Sequence, residues 1–129
     1  MIINKVERNT EQKKVILDCL KSIYTHPTAE GLHKLVKKKL PSISLATIYR
    51  NLNQMSNKGK ILRLEINKEY HYDGHIGNHQ HFICENCGNI KDISDKNISE
   101  YVLNRVKDNK IQIASVSVIF HGKCMRCKN

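Results

Sequence analysis

Residues 26–66 read HPTAEGLHKLVKKKLPSISLATIYRNLNQMSNKGKILRLEI, and the fold turns on how this stretch divides. Its first part carries Ala29, Leu32, Leu35, Val36 and Leu40 on one helical face, with Thr28 placed to cap the helix and Pro41 to end it. After the turn PSIS a second helical pattern begins. Ser44 can cap it, Ile48, Leu52 and Met55 recur at i, i+4 and i+7, and Lys58-Gly59 closes it. The segment KILRLEI then changes period. Leu62, Leu64 and Ile66 share one face with Ile61 out of phase, and the polar turn Asn67-Lys68-Glu69 leads into a second extended run, YHYD.

Upstream, residues 10–23 (TEQKKVILDCLKSI) carry Val15, Ile16, Cys19, Leu20 and Ile23 as an amphipathic stripe, with Thr10 as the expected N-cap. Three helices followed by a β-hairpin describe a winged helix-turn-helix. The pattern breaks between Gly74 and Gly77, which divides the chain into residues 1–74 and 75–129. Downstream, HFIC reads as a strand, ENCG as a metal knuckle and NIKDI as the returning strand. Ser94 is expected to open a helix carrying Ile98, Tyr101, Val102 and Val106, and IQIASVSVIF a long final strand. The fold class is α+β, a winged helix plus a small C-terminal α/β unit. At about 50 residues that unit has little core of its own and needs a metal staple, a partner subunit, or both.

The 129 residues contain no apolar run long enough for a membrane span, and the first residues lack the apolar core of a secretory signal, so a cytoplasmic location is expected. Lys and Arg number 22 against 12 Asp and Glu, a formal charge of +10 that favours a polyanionic partner. Two Phe, no Trp and five scattered Tyr provide no platform for stacking single-stranded bases, which leaves double-stranded DNA as the expected partner. On the third helix Thr47, Tyr49, Arg50, Asn53 and Gln54 lie off the apolar face. Arg can pair with guanine and Tyr can touch a thymine methyl, although packing of Tyr49 against the hairpin is equally open. Lys60, with Lys37, Lys38, Lys39, Lys58 and Arg63, suits phosphates.

Cys84-x-x-Cys87 and Cys124-x-x-Cys127 form two pairs with the spacing of a tetrahedral four-thiolate site, the pattern of structural Zn²⁺. A redox dithiol and an iron–sulfur cluster are the alternatives. With every position taken by a thiolate, such an ion has no open site for catalysis. Cys19 falls on the apolar stripe of the first helix and reads as a core residue.

A second constellation comprises His26, Asp73, His79, His81 and Asp92. In extended chain His79 and His81 point to one side, and Asp92 lies on the strand returning from the knuckle. Three imidazoles and two carboxylates suit Fe²⁺, Mn²⁺ or Zn²⁺. Because the ligands come from both halves, an ion there would select one inter-domain arrangement. His33, His71, His75 and His121 lack such support and read as structural or exposed, and Gln80 reads as no ligand.

Taken together, HPTAEGL, PSISLATIYRNLNQMSNKGKI, YHYDG and HQHFICENCGNIKDI resemble the ferric uptake regulator (Fur) family along nearly the whole chain. The resemblance implies a homodimeric metal-dependent repressor. Residues 1–74 would be its DNA-binding domain and residues 75–129 its dimerisation and metal-binding domain, with Cys84, Cys87, Cys124 and Cys127 holding structural zinc. The regulatory set of three His and two Asp is most like that of the peroxide-sensing PerR branch; iron sensors typically carry Glu at the positions of Asp73 and Asp92. The family's additional site needs an acid at Gln80 and a His at Lys123, so it is expected to be absent. Arg50 departs toward the iron sensors. The mechanism implied is repression with Fe²⁺ or Mn²⁺ bound, relieved when H₂O₂ oxidises His26 or His79 on the Fe²⁺ form. A two-fold dimer implies a pseudo-palindromic operator. The alternatives are an iron- or manganese-level sensor and, in a different class, a zinc-dependent hydrolase built on His79, His81 and Asp92.

Overall fold

The computed structural model of the chain describes residues 5–77, 79–113 and 116–128. They form two compact units, Met1–Ile76 and Gly77–Asn129. In the first, α1 (Lys5–Lys21), α2 (Ala29–Val36) and α3 (Leu45–Asn57) precede a hairpin of β1 (Leu62–Ile66) and β2 (Glu69–Asp73). This is a winged helix.

The helix termini follow side-chain chemistry. Thr28 Oγ1 accepts the Gly31 N–H at 3.2 Å, and Ser44 Oγ accepts the Thr47 N–H at 3.1 Å, so both expected caps form. Gly59, at φ +73°, ends α3. The Lys60 N–H bonds the Met55 carbonyl and the Gly59 N–H the Ser56 carbonyl, a Schellman closure. Thr10 is not a cap. α1 starts earlier than its apolar stripe, and Thr10 Oγ1 donates back to the Val6 carbonyl at 3.0 Å inside the helix. The preceding turns hold Lys, Glu and Arg, which are good helix formers without an apolar period. Periodicity therefore registers only the later part of α1, and Ile23 lies beyond its end. α2 stops at Val36, and the chain turns through Lys37–Lys39 so that Leu40 reaches the core from outside the helix.

The core gathers Ile16 and Leu20 of α1, Leu32 and Val36 of α2, and Ile48, Leu52 and Met55 of α3, with Ile61 and Tyr72 closing it from the hairpin. In the hairpin Ile66 pairs with Glu69, leaving a two-residue turn. Asn67 and Lys68 both take positive φ (52° and 67°), as a type I′ turn requires, and Glu69 belongs to the strand. Gly74 is forced by packing. A Cβ there would stand 2.9 Å from the backbone of Leu20 and Lys21.

The second unit is a three-stranded sheet with one helix. β3 (Gln80–Cys84) is central, with β4 (Ile90–Ile93) antiparallel on one side and β5 (Ile119–Gly122) parallel on the other. α4 (Lys96–Arg105) lies between β4 and β5 in the chain. It starts on Asp95, not Ser94, because the Asp95 carboxylate accepts the Asn97 N–H at 3.0 Å. Its expected apolar face is also only partly used. Ile98 and Val102 are half-buried, whereas Tyr101 and Val106 are exposed. The final strand is shorter than the β-rich run 111–120 suggests. Ala114 and Ser115 lie outside the described residues, Ile111 and Ile113 are exposed, and among the described residues the ladder with β3 runs over Ile119–Gly122, where β3 offers its free edge. Among the described residues no helix is long and apolar enough to cross a membrane.

Candidate metal centre and nucleic-acid interface

The four paired cysteines converge. Parallel pairing of β5 with β3 sets Gly122 opposite Cys84, and the Glu85 N–H bonds the Gly122 carbonyl at 2.8 Å. Both strands thus end at one place, and Cys124 follows directly. On the other side Gly88, at φ +75°, turns the chain from Cys87 into β4. The sulfurs of Cys84, Cys87, Cys124 and Cys127 all lie within 4.8 Å of one another, and Cys87 Sγ is 3.7 Å from Cys124 Sγ. A tetrahedron of thiolates about 2.3 Å from zinc has edges of about 3.8 Å, so the set fits such an ion.

The protonation pattern agrees with a cation site. N–H donors of Cys87 and then Cys124 aim at Cys84 Sγ, at 3.5 and 3.4 Å, and draw its thiol down to about 6. Cys124 is lowered too, first by its hydrogen bond with Cys127. Asn86 favours the thiolate of Cys127, yet the neighbouring Cys124 thiol, desolvation and the other sulfurs hold it up at about 11. Four thiols this close cannot all ionise unaided, and a bound divalent cation removes that conflict.

The other candidate ligands fall into two groups, one in each unit. In the first unit His26 Nε2 lies 3.3 Å from Asp73 Oδ2, with both side chains buried. His26 itself takes φ +53°, which few non-glycine residues adopt. In the second unit His79 Nε2 and His81 Nε2 are 3.1 Å apart, as their i, i+2 spacing implies. Asp92 pairs with His81 in the β3–β4 register, and its Oδ1 stands 3.4 Å from His81 Nε2 and 4.0 Å from His79 Nε2. Nitrogen and oxygen donors are thus assembled beside the cysteine knuckle on the same short sheet.

The remaining histidines are engaged elsewhere or exposed. His33 Nε2 bonds the Ile43 carbonyl, His71 Nδ1 the His26 carbonyl at 2.7 Å, and His75 Nε2 the Ile23 carbonyl while its ring stacks on Tyr24. His121 is exposed. Cys19 is half-buried against the core, where burial raises its thiol.

On α3, Tyr49, Arg50, Asn53 and Gln54 are exposed, as is Lys60 just beyond it. Thr47 is half-buried, and its hydroxyl hydrogen-bonds that of Ser44. Tyr49 does not stand free. Its hydroxyl donates to Glu30 Oε1 at 2.6 Å, which lowers the Glu30 carboxyl and raises the Tyr49 phenol. Arg63 lies over the Tyr70 ring, 4.5 Å from its centroid, so the wing holds this cation by a cation–π contact.

The model of the Ferric uptake regulator family matches residues 4–121. The chain belongs to this family. A curated relative, the Peroxide-responsive repressor PerR of Staphylococcus epidermidis, is 31% identical over 122 residues, covering 94% of this chain and 81% of the relative. Among solved structures, the Campylobacter jejuni peroxide stress regulator superposes with a TM-score of 0.78 at 31% identity, covering 93% of this chain and 91% of that one. The Helicobacter pylori ferric uptake regulator Fur, described as having three functional metal binding sites, gives 0.73 at 25% identity over 92% and 81%. This Fur-family chain is a metal-dependent transcription regulator, not an enzyme.

Three residues of this Fur-family chain escape any sequence pattern. Glu30, His71 and Gln80 act through partners distant in sequence, so no local spacing flags them. Gln80 is fully buried. Its Nε2 donates to the Asp95 carbonyl at 2.8 Å and to Ser99 Oγ at 2.9 Å, and its Oε1 accepts the Asp95 N–H. Alternation along β3 sends it to the face opposite His79 and His81, where it fastens the start of α4.

Proposed function

We propose that this chain is a cytoplasmic, homodimeric, peroxide-responsive repressor. Its zinc is structural and held by Cys84, Cys87, Cys124 and Cys127. Its regulatory site takes Fe²⁺ or Mn²⁺ on His26, Asp73, His79, His81 and Asp92. The observation that carries the reading is the pairing of His79, His81 and Asp92 around one point beside the four-cysteine knuckle. The carboxylate donors are both Asp, and the curated relatives matched at 31% identity are peroxide-responsive repressors.

A single ion held by both ligand groups would select one arrangement of the two units and so set the spacing of the two recognition helices in a dimer. Exposed apolar residues of the second unit, among them Tyr101, Ile111 and Ile113, support dimerisation through that unit. Thr47, Tyr49, Arg50, Asn53 and Gln54, with Lys60, would face a pseudo-palindromic operator in double-stranded DNA. Bound Fe²⁺ would supply the reduction of H₂O₂, and His26 or His79 would gain the oxygen atom and lose its capacity to ligate.

The test is to load Fe²⁺, add H₂O₂ and map His26 and His79 by mass spectrometry. The expected result is the mass of one oxygen atom on one of them, together with loss of operator binding; the Mn²⁺ form should keep both histidines unmodified and its operator binding intact. Unmodified histidines with DNA binding intact would instead support an iron- or manganese-level sensor, the reading that Arg50 favours.

A further inference from the structure

The Tyr49 hydroxyl and Glu30 carboxylate join the DNA-reading helix to the first turn of α2. Glu30 is the second residue of that helix, where unpaired N–H groups and the helix dipole favour an anion, and Thr28 already caps the turn. The carboxylate therefore has a fixed seat, and its 2.6 Å bond fixes the phenol that donates to it. Tyr49 also walls an open cavity between α2, α3 and the wing, shared with Glu30, Lys68 and Tyr70. A tyrosine on a solvent-facing helix otherwise samples several rotamers. Here one arrangement is selected, with the hydroxyl turned to Glu30 and the ring still 39% exposed.

This decides what Tyr49 offers a base pair. Its proton is committed to Glu30, so the group left for recognition is the apolar ring. In the major groove an apolar surface distinguishes thymine by its C5-methyl group. We propose that Glu30 is a positioning residue for DNA readout, holding Tyr49 so that its ring packs on a thymine methyl. The inference rests on the DNA-reading role of α3 given under Proposed function. It adds a specificity determinant that itself carries a charge repelled by DNA, and a carboxylate kept at a phosphate-binding surface needs such a reason.

The experiment uses the full zinc-containing chain loaded with Mn²⁺ and a duplex selected by it from a random-sequence library. Each thymine is then replaced by deoxyuridine, which removes only the methyl group. Wild-type affinity should fall about fourfold at one thymine per half-site, the worth of one buried methyl. In Glu30→Ala and Tyr49→Phe that loss should shrink below about twofold, whereas Glu30→Gln, which keeps an acceptor oxygen and lacks the charge, should retain it. Thermal melting and binding to a random duplex establish that each variant is folded. If Glu30→Ala keeps the full methyl sensitivity, or Glu30→Gln loses it equally, the positioning role is overturned. A selected operator with no methyl-sensitive thymine overturns the Tyr49 contact alone. Failure to enrich any duplex in an Mn²⁺-dependent manner overturns the regulator reading itself, and this inference with it.

Discussion

The His71 ring nitrogen Nδ1 sits 2.7 Å from the backbone carbonyl oxygen of His26. A carbonyl only accepts, so Nδ1 carries the proton. The neighbouring Tyr72 N–H bonds the Pro27 carbonyl at 2.9 Å, and His75 holds the Ile23 carbonyl. Strand β2 and its exit thereby clasp the loop between α1 and α2, and keep His26 at its positive φ.

Removing the His71 clasp should therefore loosen His26, a ligand of the proposed regulatory site, without touching the cysteine site. Outer partners of metal ligands are typically worth 10–100-fold in affinity, and His71→Ala is expected to weaken Mn²⁺ binding by about tenfold. Calorimetric titration reads the affinity, and elemental analysis should find the zinc content unchanged. An unaltered Mn²⁺ affinity would show that the loop holds His26 without the clasp.

The cysteine site should behave as a staple. Cys127→Ser is expected to abolish tight zinc retention and to remove the thermal transition of the C-terminal unit, whose core is otherwise small. Protons compete with the ion for thiolates, and the Cys87 and Cys124 N–H donors favour the thiolate of Cys84. Zinc should thus stay bound at neutral pH and be released in acid, which a chromogenic chelator can follow.

Gln80→Leu should destabilise the protein by about 1–3 kcal/mol, because it leaves the buried Ser99 hydroxyl and the part-buried Asp95 N–H and carbonyl without their partner. Urea unfolding at fixed zinc occupancy measures the loss. A neutral substitution would mean that water replaces the amide.

Gly74→Ala tests a steric requirement in the winged-helix unit. The added Cβ meets backbone atoms of Leu20 and Lys21, which cannot rotate away, so a cost of about 1–3 kcal/mol is expected. Thermal denaturation of the variant checks it, with Gly77→Ala as a control, since nothing lies within 4 Å of a Cβ there.

The Tyr49–Glu30 bond has a pH signature. Tyr49 is raised above the ordinary tyrosine value by Glu30, so its contribution is fully present below about 10 and is lost as the pH rises through its folded value. Glu30 is lowered, and its contribution is lost only as acid reaches its own depressed value. Absorbance titration of tyrosinate should show Tyr49 and Tyr72 ionising late, and Tyr49→Phe should delete one of those late steps.

Local chemistry alone determined much of this protein. Thr28 and Ser44 cap their helices, Lys58-Gly59 ends α3, the period change at Ile61 marks the wing, and two Cys-x-x-Cys pairs announce a four-sulfur site. Each depends on residues a few positions apart, which a linear pattern can register. Where the sequence lacked such a signal, the reading failed. The polar start of α1 has no apolar stripe, Asp95 displaced Ser94 as the cap, and among the described residues β5 covers only Ile119–Gly122 of the β-rich run. Only the tertiary structure decided that β5 lies parallel to β3, which is what brings Cys124 to Cys84. It also decided that Tyr49 answers to Glu30, and His26 to His71. Those partners are remote in the chain, and a hydrogen bond depends on where two atoms are brought in space.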